Sequence, residues 1–77
     1  MKLIWVTSAN YLEGFKLKIE FNDGSTKVVD MEKHLNKPIF APLRNISYFK
    51  QFRLNSFTIE WENGADFSPE FLYDLND

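Results

Sequence analysis

Residues 15–21, Phe-Lys-Leu-Lys-Ile-Glu-Phe, alternate between apolar and charged without a break. A period of two puts Phe15, Leu17, Ile19 and Phe21 on one face of an extended strand and Lys16, Lys18 and Glu20 on the other, the pattern of a half-buried antiparallel sheet. Asn22-Asp23-Gly24-Ser25 follows at once, and Gly24 can supply the positive φ that a tight hairpin needs. Thr26 to Val29 is then the returning strand. Leu3 to Thr7, rich in β-branched and aromatic residues, reads as an earlier strand that Glu13-Gly14 turns into the second.

A second alternation, Phe57-Thr58-Ile59-Glu60-Trp61, places Phe57, Ile59 and Trp61 on one face, with Arg53 and Leu54 as a hairpin partner through Asn55-Ser56. Asn63-Gly64 marks the turn that ends it, and Ser68-Pro69-Glu70 spells a helix start: an N-cap, a proline at the first helical position and an acid near the positive helix end. Phe71, Leu72 and Leu75 give that helix an apolar stripe. Asp30 is placed to cap a short turn through Met31, Glu32 and Leu35, and Asn45 to cap a helix that carries Ile46, Phe49 and Phe52 on one side. Pro38 and Pro42 rule out a continuous helix between them and predict an irregular segment from Ile39 to Leu43. The resulting order, β-β-β, short helix, β-β, helix, is an α+β fold: a small antiparallel sheet of about five strands with two or three short helices packed on it, in one domain spanning residues 1–77.

A chain of 77 residues buries only about 60% of its unfolded surface, so its eight Phe, two Trp and three Tyr are needed inside. It has no cysteine to supply a disulfide or a thiolate zinc site, which fits a reducing cytoplasm. The N-terminal apolar run is too short for a signal-peptide core, and no stretch approaches the roughly 20 apolar residues of a membrane helix. The net charge of −2 argues against phosphate-backbone binding as the main source of affinity.

Chemistry-bearing residues are sparse. His34 is the only histidine; Asp30 and Glu32 lie near it in sequence, but no nucleophile motif accompanies it, and it reads as a turn residue. Glu60, Glu62 and Asp66 read as a solvated strand edge with a turn-stabilising Asp66, and Gly14, Gly24 and Gly64 are too scattered for a phosphate-cradling loop. Lys16, Lys18 and Lys27 are expected on the outer face of the first hairpin, with Arg44, Lys50 and Arg53 as a second basic cluster, both ordinary solvated charge. The Pro-flanked segment 39–43 either plugs the open end of the sheet or offers an apolar contact. Plugging is favoured because so small a core needs every large side chain; the contact reading nominates Phe40, Pro42, Leu43 and Arg44 as partner-binding residues. An exposed sheet edge is a second contact surface, through strand addition or dimer formation.

Read together, Phe21-Asn22-Asp23-Gly24, Val29-Asp30, Phe40-Ala41-Pro42-Leu43-Arg44, Trp61-Glu62-Asn63-Gly64-Ala65-Asp66 and Ser68-Pro69-Glu70 resemble, in order and spacing, the short bacterial domains of the domain of unknown function 2442 family. The resemblance implies kinship with the N-terminal domains of larger helix-turn-helix proteins, and for some members a gene pairing of toxin–antitoxin type. It implies no catalytic residue. These 77 residues contain no helix-turn-helix segment. The expectation is therefore a cytoplasmic, non-catalytic protein-interaction module without a cofactor, whose partner is a small neighbouring protein or a second copy. The alternative is an accessory domain in nucleic-acid binding or transcriptional regulation that leaves DNA contact to another chain.

Overall fold

The unbroken alternation produces the centre of the molecule: in the computed structural model, which describes residues 3–75, β2 (Lys16–Phe21) lies between β1 (Val6–Glu13) and β3 (Thr26–Asp30), antiparallel to both. Leu17, Ile19 and Phe21 are buried while Lys16 and Lys18 face water, as a sheet with one wet face requires. The Phe21 N–H donates to the Ser25 carbonyl at 2.9 Å to close the β2–β3 hairpin. Gly24 takes φ +87°, and the Asp23 carboxylate accepts from the Ser25 N–H at 2.9 Å and its hydroxyl at 2.6 Å.

The first strand is longer and later than expected. Residues 8–13 carry little β-forming signal of their own and are recruited by pairing with β2, whereas residues 3–5 are pinned by a side chain. Asn22 Oδ1 accepts from the Trp5 N–H at 2.8 Å, and its Nδ2 donates to the Leu3 carbonyl at 2.9 Å. The β1–β2 register slips twice, between Val6 and Ser8 and between Tyr11 and Glu13; the β2–β3 register does not slip.

The expected sheet of about five strands is instead a three-stranded sheet and a separate two-stranded one, β4 (Arg53–Leu54) with β5 (Ile59–Glu60). Asn55 explains the shortening. Its Oδ1 accepts from both the Phe57 and Thr58 N–H groups at 2.7 Å, so residues that would extend the strand are spent in the loop. Phe57 consequently leaves the inner face and is 64% exposed. At the other end the Trp61 N–H donates to the Ala65 carbonyl, and Gly64 turns the chain with φ +91°.

The helical segments cover the inner face. A 3₁₀ turn at Glu32–His34 starts with the Glu32 N–H on the Asp30 carboxylate at 3.1 Å. The Pro-flanked segment, expected to be irregular, winds as a 3₁₀ helix over Pro38–Arg44. Proline's fixed φ suits that conformation, and a threefold repeat puts Phe40 and Leu43 on one side, both buried. Asn45 Oδ1 caps α1 (Ile46–Phe49) through the Ser47 N–H at 2.9 Å, and Ser68 Oγ caps α2 (Pro69–Asp74) through the Phe71 N–H at 3.1 Å. Trp61, 1% exposed, lies in the middle of the core, its indole N–H donating to the Phe49 carbonyl at 2.9 Å. Among the described residues no helix is long and apolar enough to cross a membrane.

Candidate functional site

The four nominated loop residues do not share a surface. Phe40 stacks on Phe67 with ring centroids 4.6 Å apart and an interplanar angle of 8°, and Leu43 is fully enclosed. Pro42 and Arg44 face outward, and Arg44 Nε donates to the Leu35 carbonyl at 2.9 Å, tying the 3₁₀ helix to the preceding turn. Phe40 and Leu43 thus sit where core-filling residues sit.

A groove opens beside that stack, with a cavity volume of about 400 Å³. Phe40, Phe67 and Phe71 line it as a column, Phe67 and Phe71 lying 5.7 Å apart at 17°, and the His34 ring meets Phe71 edge-on at 5.3 Å. Lys37 and Asp66 add opposite charges to the lining. His34 and Asp66 therefore share one cavity, a pairing that sequence proximity did not suggest, while Asp66 also keeps the expected neighbour Glu60 as its antiparallel bridge partner. Ser68 also lines the groove, but its hydroxyl is already the acceptor that caps α2. Among the described residues no three His, Asp or Glu side chains converge as metal ligands.

The third feature is the outer edge of β3. The Phe21–Ser25 and Phe15–Met31 backbone bonds fix the parity of the β2–β3 ladder: residues 25, 27, 29 and 31 turn their N–H and C=O groups toward β2. Thr26, Val28 and Asp30 therefore turn theirs away from the sheet. No bulge interrupts them, and among the described strands β3 pairs only with β2. Val28 is 51% exposed. Thr26–Val29 was legible as a strand, but its place at the edge was not, because strand order depends on where β1 docks.

A model of the family described as "Protein of unknown function (DUF2442)" matches residues 6–76. The chain belongs to this family. No curated protein and no solved structure matches it. In this DUF2442 chain the two expected basic clusters are partly tied to other groups. Lys27, expected beside Lys16 and Lys18, stands opposite Ile19 on the inner side and donates to the Tyr73 carbonyl at 2.6 Å. Arg53 lies 3.6 Å from the Glu60 carboxylate, and Lys50 sits over the Tyr11 ring at 5.3 Å. On the outer face Lys16 and Lys18 alternate with Glu20 and stand opposite Asp30 and Val28 of β3.

Proposed function

We propose that this DUF2442 chain is a non-catalytic protein-interaction module whose contact surface is the outer edge of β3. The observation that supports this reading is the row of outward backbone groups at Thr26, Val28 and Asp30, regular over the whole strand and flanked by the exposed Val28 side chain. Such an edge is a template for an added strand: main-chain bonds supply affinity and alternate side chains supply selectivity. Phe40 and Leu43 serve the same reading indirectly, by filling the core behind the sheet. Its occupant is a protein strand, from a second copy of this chain or from a small protein encoded beside it, the latter in the antitoxin-like arrangement that the family resemblance implies.

Co-expression with the neighbouring gene product tests the proposal. A complex should co-purify and should be lost with Val28→Pro, which removes an outward N–H without touching the β2 ladder. Failure to co-purify, together with unchanged growth inhibition by the neighbour, would sink the antitoxin reading.

A further inference from the structure

We infer that the outer edge of β3 pairs with β3 of a second copy, in one register centred on Val28. This rests on the reading of that edge as a binding surface and adds its occupant. A twofold axis at Val28 sets Val28 opposite its own copy and Thr26 opposite Asp30 of the other chain, and engages every outward-turned residue of the strand.

Charge selects that register over its neighbours. An axis at Lys27 sets two lysines directly opposite each other and one at Asp30 sets two aspartates opposite; like charges directly opposite are unfavourable. An axis at Thr26 or Val29 opposes no like charges but leaves outward groups of β3 without a partner. In the Val28 register each Asp30 stands between Lys16 of its own β2 and the Thr26 hydroxyl of the other copy. Lys27, on the inner face, meets Val29 of the other copy while its ammonium is held on the Tyr73 carbonyl. The two exposed Val28 side chains cover each other.

Light scattering at protein concentrations up to about 1 mM should give an average mass well above the 9.1 kDa of one chain, about one and a half times it for a millimolar contact and approaching twice it for a tighter one. Val28→Glu puts a carboxylate beside Lys18 within the chain but opposite its own copy across the axis. It should weaken self-association by about tenfold or more with the circular dichroism spectrum unchanged. Because the chain has no cysteine, register can be read directly under mild oxidation. Val28→Cys should form a disulfide dimer, since facing Cα atoms about 5.5 Å apart are within disulfide reach. Thr26→Cys alone should not, because the axis separates its two copies by about four strand residues, roughly 13 Å; mixed with Asp30→Cys it should. A monomeric mass throughout, a dimer indifferent to Val28→Glu, or equal cross-linking by Thr26→Cys and Val28→Cys would each overturn the inference. A monomer that still retains the neighbouring gene product through β3 would overturn self-pairing alone and leave the proposed function standing.

Discussion

Among the described residues Thr58 is the polar one that the core encloses most fully, and its hydroxyl donates to the Phe67 carbonyl at 2.6 Å. That bond joins β5's approach to the segment leading into α2, so it bears on the groove wall as well as on stability. Thr58→Val keeps the shape but leaves the Phe67 carbonyl without its donor; a loss of about 1–3 kcal/mol should appear in urea unfolding. Tyr73 offers a test in pH. Its hydroxyl donates to Asp23 Oδ2 at 2.7 Å, and that hydrogen bond, reinforced by the carboxylate's charge, holds the phenol above its usual value of 10.0. The folded state thus holds the phenolic proton more tightly than the unfolded chain does. The contribution is complete below about pH 10 and is lost as pH rises through the raised value. Alkaline unfolding followed with and without Tyr73→Phe should show this part of the pH dependence vanish in the variant.

At the level of elements, the N-terminal segment is held by Asn22 rather than by strand pairing. Asn22→Ala should free the Trp5 N–H and the Leu3 carbonyl, while the Asn22 N–H keeps its 3.0 Å bond to the Trp5 carbonyl and the β2–β3 hairpin stays closed through the Phe21–Ser25 backbone bond. Hydrogen exchange at the Trp5 amide should rise well above that at Ile19. Features set by adjacent residues were readable in advance: the Asn45 and Ser68 caps, the Gly24 and Gly64 turns, and the inward phase of Leu17 and Ile19. Those that depend on distant partners were not. Residues 8–12 became strand because β2 offered them a ladder, and Phe57 left its expected face because Asn55 closed the loop first. Prolines 38 and 42 announced a break in α-helix correctly, but a 3₁₀ helix meets the same restrictions, and only the demand to bury Phe40 and Leu43 together chose it. The groove and the open edge were hidden for the same reason, since both arise where segments far apart in sequence meet.

For the whole molecule, burial is concentrated in few side chains, so single losses are costly. Leu43 is completely enclosed although it sits on a segment rich in exposed residues. Leu43→Ala should lower stability by about 2–5 kcal/mol, a large share of the roughly 5–15 kcal/mol typical of a domain. Thermal unfolding should begin several degrees earlier, and an unchanged midpoint would remove this residue from the core that supports the sheet.

The unequal registers on the two sides of β2 bear on growth. Beyond β1 the slipped register, the Val6 N–H donating to the Phe57 carbonyl and β4 packed alongside leave a poor surface for adding another strand. A molecule with two regular sides could add copies without end. A pair joined through β3, as inferred above, would present an irregular β1 at both extremities, which would make joining a terminating step and a built-in stop against becoming a fibre.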